Sequence, residues 1–164
     1  MVNKLLVSGL VLLLVLGGWL GWYFSDKQVV KRLGIGMSWD ISKEGRESTV
    51  QTALKMREIK NVLAADCTVI IPERSYRESV DRDMIISYLV YHRQRYSLIT
   101  VTFADMWVDI PAKGKAVVQL RAHLLRQQGQ AEPVEESGDV EIVFKKENRE
   151  WLLSSVTVPV KLVE

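Results

Sequence analysis

The chain has 164 residues, a formal charge of +2 from 22 basic and 20 acidic side chains, and a hydrophobic share of 48%. The charges are interspersed, which gives no basic field for nucleic acid, and the single cysteine, Cys67, excludes an intramolecular disulfide and a cysteine metal cluster. Removing an extremely apolar N-terminal segment leaves roughly 120 residues, the size of one ordinary domain.

That first segment runs from Leu5 to Phe24 without a charge. At about 1.5 Å per residue, some 20 helical residues match a hydrocarbon core of ~30 Å. Trp19, Trp22 and Tyr23 gather at one end, where amphipathic rings favour the membrane interface, and Lys4 flanks the other. A cleaved export signal has similar features, but no Ala-x-Ala follows the apolar run, so the segment is read as an uncleaved single-pass anchor. Lys27, Lys31 and Arg32 after the span argue for a cytoplasmic domain by charge counting. A very short, lysine-bearing N-terminal tail argues for export, and export across a bacterial inner membrane is the expectation taken. Gly17 and Gly21 form a GxxxG pair through which two spans can approach, giving a homodimer as one expected partner.

Residues 25–43 hold Gly34, Gly36 and several polar pairs without a sustained period, and read as a juxtamembrane linker; the domain is expected at 44–164. From Glu44 to Ala65 the stripe Thr52, Met56, Ile59 and Leu63 predicts a long amphipathic helix. Cys67 to Ile71 forms a short β-like run that Pro72 ends, and a charged loop follows. Asp81 or Ser79 can cap a second helix over Arg82–Tyr96.

After Ser97 the period changes to two. Leu98 to Ile110 switches apolar parity at Ala104-Asp105, which predicts a β-bulge; Pro111 to Gly114 then turns into a strand whose Ala116, Val118, Leu120 and Ala122 face inward. Gly129 to Gly138 reads as a loop. Asp139–Lys146 and Trp151–Val163 alternate again, for four main antiparallel strands in all.

This order of elements resembles the nuclear transport factor 2-like superfamily, the α+β cone shared with polyketide cyclases and ketosteroid isomerase. The local carriers are Leu63-Ala64-Ala65-Asp66-Cys67-Thr68-Val69, Arg82-Asp83-Met84-Ile85 and Glu150-Trp151-Leu152-Leu153-Ser154-Ser155-Val156. The resemblance implies a curved sheet wrapped on helices with a pocket between them. It names no reaction, since such cones serve enzymes, carriers and assembly modules alike.

An isomerase-like mechanism needs a carboxylate base and hydrogen-bond donors in an apolar pocket. Asp105, if the bulge turns it inward, and Tyr88 are the candidate acid–base pair, whereas His92 and His123 read as rim or surface histidines. No metalloprotease, nucleotide-binding, nucleophile-elbow or calcium-loop motif is present, so no cofactor or metal is expected. The expected function is therefore a membrane-tethered, non-catalytic binding or assembly module of the bacterial cell envelope, taking a protein partner or a small apolar ligand. A pocket isomerase, cyclase or hydratase is the alternative. A short N-terminal span before a domain of this fold is also the layout of an inner-membrane component of bacterial type IV secretion systems.

Overall fold

The computed structural model describes residues 4–163, with side chains from residue 11 onward except those of residues 20 and 22. Helix α1 is Lys4–Tyr23 and helix α2 Asp26–Ile41, separated by two residues. Then come α3 (Thr49–Val62), β1 (Leu63–Ile71), β2 (Tyr76–Asp81) and α4 (Arg82–Arg95). The chain ends in β3 (Leu98–Ala112), β4 (Lys115–Gln127), β5 (Val134–Glu147), β6 (Glu150–Thr157) and a 3-10 turn at Val160–Leu162.

The sheet has six strands in the order β2-β1-β6-β5-β4-β3, two more than the sequence periodicity showed. All neighbours are antiparallel except β1 and β6. Strand β2, expected as part of a charged loop, was hidden because an edge strand wetted on both faces carries no hydrophobic alternation; Tyr-Arg-Glu-Ser-Val-Asp is exposed or half-buried throughout. The start of β5, expected as loop, shows no apolar alternation either: Val134, Glu135, Glu136 and Ser137 are exposed to half-buried, yet they complete the ladder against β4. At the other end Pro159 stops β6, so the last strand falls short of the expected Val163.

The inward face of β4 and β5 forms the core. Ala116, Val118 and Phe144 are inaccessible to solvent, and Leu120, Ile142, Trp151 and Leu153 are buried beside them. Helix α3 lays Met56 and Ile59 on this face, the stripe anticipated from its spacing. It starts later than expected, at Thr49, because Ser48 and Gln51 form a reciprocal capping box that fixes the first turn.

The segment expected as a linker is helix α2, and it is part of the domain. Val30 has no accessible surface and Met37 is buried, while Val29, Leu33 and Ile41 pack against the core at helical spacing. Gly34 is there for close approach, since a Cβ would lie 3.1 Å from Met106 Cε on β3. Lys43 then bridges to the exposed edge of β3 through paired backbone bonds with Ile99 of 2.6 and 2.9 Å.

Strand β3 is bulged between Ala104 and Trp107, with Asp105 at φ 51°. The extra residue restores one buried face, so Phe103, Met106, Val108 and Ile110 all pack on the core. Gly114, at φ 77°, makes the β3–β4 turn as its position predicted.

Among the described residues no helix is long and apolar enough to cross a membrane. The side chains of Leu5 and Trp22, expected anchor residues, lie outside the described set.

Candidate functional site

Helix α4 carries the polar machinery of the domain. Asp81 caps it through the Asp83 and Met84 N–H groups, and Tyr88, His92 and Arg93 of its last turns, with Tyr96 just beyond its end, face one cavity. A cavity of about 220 Å³ opens there. Its walls are Ile41, Met56 and Leu89 from the helices, Ile99 and Leu124 from the sheet, and Leu162 and Val163 from the C-terminal turn. Its polar atoms come from Tyr88, His92, Arg93, Tyr96 and Arg126. No carboxylate is among the described lining residues.

The His92 ring sits 4.3 Å from that of Tyr88 and is stacked at 14° with Tyr96, centroid to centroid 6.3 Å. Burial first, then the charges of Arg95 and Arg126, hold its pKa below the ordinary 6.5, so the imidazole is neutral at pH 7. Both arginines of the cavity are charge-balanced. Arg126 pairs with Glu136 at 2.5 Å, and Arg93 with Glu47.

The side chains of the Arg93–Glu47 pair are both shielded from solvent. Arg93 is 4% exposed and its guanidinium also donates to the carbonyls of Asp40 and Ser42, at 3.0 and 3.2 Å. Glu47 accepts a second bond from Lys55 at 2.7 Å, and Lys43 donates to the Arg93 and Tyr96 carbonyls at 2.7 Å each. These bonds close the end of α2, the start of α3 and the end of α4 into one block. Burial pulls the Glu47 pKa up, but the hydrogen bonds and charges of Lys55 and Arg93 outweigh it and hold the carboxyl below its ordinary 4.5. The sequence offered no signal for this block beyond isolated charges, because its members lie up to 53 residues apart.

A turn of the chain supplies one wall of the cavity. The 3-10 segment Val160–Leu162 folds back over β5, where Gly138 has no side chain to obstruct it; a Cβ there would lie 2.5 Å from Pro159 Cγ. The Val160 N–H donates to Glu73 at 3.3 Å, which ties the turn to the β1–β2 connection.

The expected acid–base pair is not assembled. Tyr88 lines the cavity, 57% exposed at its rim, whereas Asp105 is exposed on the outer face of the sheet, in a shallow depression with Trp107, Arg121 and Asp139. The bulge that restores the buried face of β3 is what turns Asp105 outward. His92, read as a rim histidine, is instead half-buried inside the cavity wall, and His123 is half-buried on β4 without lining it. Burial pushes the Cys67 thiol up to about 11, which makes it an inert core residue. Among the described residues no cluster of histidine, cysteine and carboxylates could hold a metal ion.

Of the expected anchor, Val11 to Leu16 are all about half exposed or more, and Trp19, Tyr23 and Phe24 continue the apolar surface. Trp19 stacks on Tyr23 at 5.5 Å. A Cβ added at Gly17 or Gly21 would meet nothing within 4 Å, so this helix face is bare in the single chain.

No protein-family model and no curated protein matches the sequence. Solved structures do match. The Kfla4162 protein of Kribbella flavida superposes with a TM-score of 0.69 at 11% identity, covering 82% of this chain and 89% of that one. A nuclear transport factor 2-like protein of Cytophaga hutchinsonii gives 0.60 at 15%, covering 82% and 97%. A protein of Novosphingobium aromaticivorans provisionally named a scytalone dehydratase gives 0.63 at 12%, covering 79% and 80%. At these identities the likeness concerns the backbone, and its conclusion is structural: the domain has the cone-shaped α+β fold of the nuclear transport factor 2-like proteins.

Proposed function

We propose that the chain is a membrane-tethered, non-catalytic binding module of the bacterial envelope, whose cone takes a small, neutral, largely apolar ligand or the apolar side chain of a protein partner. The observation that carries this reading is the cavity lining. Aliphatic and aromatic walls surround a neutral imidazole and two arginines already balanced by Glu47 and Glu136, with no carboxylate among the described lining residues. Such a pocket binds apolar surface and directs one or two hydrogen bonds, and it offers no carboxylate base among its described lining residues.

The tether rests on sequence and exposure together. Leu5 to Phe24 holds no charge, and the described part of α1 leaves its apolar side chains uncovered. A span fixes the domain beside membrane partners and raises its effective concentration for them. The two bare glycines of α1 support a second copy as one such partner.

The test is direct. The full chain in membranes resists extraction by alkaline carbonate, and its cavity takes up the fluorescent probe N-phenylnaphthylamine. Leu124→Trp, which fills the cavity, weakens probe binding about tenfold, or ~1.4 kcal/mol, while Asp105→Asn leaves it unchanged. Release by carbonate would end the tether, and equal probe binding by Leu124→Trp would end the pocket.

One observation favours a second reading, a dehydratase of small aromatic hydroxy ketones. The neutral His92 beside Tyr88 and Tyr96 can remove a proton α to a carbonyl while a tyrosine hydroxyl protonates the departing hydroxide. The provisional dehydratase name of a structural neighbour fits this class. An aromatic β-hydroxy ketone that gains conjugated absorbance with the native chain, and not with His92→Gln, would replace binding with catalysis.

A further inference from the structure

The end of the domain nearest α1 is built as a rigid block. Only Phe24 and Ser25 separate α1 from α2, and α2 is locked into the core by Val30. Asp26, the first residue of α2, accepts hydrogen bonds from Lys146 Nζ at 2.6 Å and Trp151 Nε1 at 3.1 Å, on the strands flanking the β5–β6 turn. The β3–β4 turn abuts the same place, since the Lys146 N–H donates to the Gly114 carbonyl at 2.8 Å. Arg32 closes back on the end of α1, donating to the Tyr23 carbonyl at 3.0 Å with its guanidinium 4.1 Å from the Tyr23 ring centroid. Two sheet turns are therefore held beside the point where α1 leaves the domain.

The charges at this end stand against local physics. Lys115 and Lys145 are directly opposite in adjacent strands, an arrangement in which like charges repel. Lys27 occupies the first turn of α2, where the helix dipole disfavours a cation. Lys113 and Arg149 stand exposed in the two turns. Among the described residues none of these five cations forms an ion pair. Glu147 and Glu150 also lie here, but Asp26 is already bonded to Lys146, so basic groups predominate.

We infer that this end of the domain lies on anionic lipid headgroups, with Lys27, Lys113, Lys115, Lys145 and Arg149 facing their phosphates. The inference rests on the tethered reading of α1. A two-residue junction, with Arg32 bonded back to the Tyr23 carbonyl, keeps the basic end close to whatever surface α1 enters, and a phosphate layer relieves the repulsion between Lys115 and Lys145. Basic side chains near such a surface are each attracted measurably, and the attraction falls within a Debye length.

The experiment uses the full chain reconstituted in vesicles of phosphatidylcholine with or without phosphatidylglycerol. Asn148→Cys in the β5–β6 turn is labelled with a fluorophore; Cys67, 1% exposed, does not compete. A nitroxide on the lipid headgroups quenches the dye at least about threefold more with phosphatidylglycerol present, and ~1 M salt removes the difference. Lys115→Glu with Lys145→Glu removes it too, whereas Arg57→Glu with Arg77→Glu, the same charge change on α3 and β2, retains it. Equal quenching in both lipids, or equal loss in both double variants, overturns the inference while the chain still floats with the vesicles. A chain that does not float overturns the tether itself.

Discussion

Arg93 shows how much one side chain holds together in this protein. Its guanidinium is buried, joined to Glu47 and to carbonyls at the end of α2, and its Nε has no partner among the described residues. Removing one member of a buried pair leaves the other charge uncompensated, so Arg93→Met lowers stability by about 3 kcal/mol in urea denaturation; the retained Lys55–Glu47 bond keeps it at the low end of the range. Titration gives the second residue-scale prediction. The Glu47 pKa is depressed in the folded state, so its contribution is complete above the unfolded value of 4.5 and is lost as pH falls through the lower folded one. His92 acts in the same direction at higher pH. Its folded pKa is lowered, so the unfolded chain takes up a proton first and stability declines as pH falls through 6.5. Thermal melts from pH 8 down to pH 3 show two declines: His92→Gln removes the upper one, and Glu47→Gln reduces the lower.

At the scale of elements, α2 and the C-terminal turn decide what the cavity is. Helix α2 is a load on the core, and Val30→Ala removes two methyl groups from a site with no accessible surface, costing about 2 kcal/mol in the same denaturation assay. A linker would tolerate that change without effect. Gly138 is the second element-scale position. Gly138→Val drives a side chain into Pro159 and lifts the Val160–Leu162 turn from β5, so the cavity loses its Leu162 and Val163 wall. Probe release from the pocket then quickens by about tenfold while the fold persists, which stopped-flow fluorescence measures. The bulge of β3 was legible as a parity change at Ala104-Asp105. Its consequence for Asp105 was not, because whether the extra residue of a bulge faces in or out depends on the register with β4, where Arg121 and Gln119 fix the partners.

For the molecule as a whole, one end is a helix whose described apolar side chains are uncovered and the other a cone with a small, open-mouthed cavity. The helical spacing in α3 and α4, the turn at Gly114 and the inward alternation of β4 are consequences of local geometry, and a single sequence displays them. So is the charge-free run from Leu5 to Phe24. Tertiary structure alone decided the rest. The glycines of residues 25–43 suggest a break, yet Gly34 is explained by Met106, more than seventy positions away, and α2 is a helix because a sheet face is there to bury it. Strand β2 exists because β1 supplies its hydrogen bonds, and Asp105 lies outside the cavity that His92 lines because sheet register and the end of α4 set which groups share it. Periodicity records which face of an element avoids water, but not which distant element covers it.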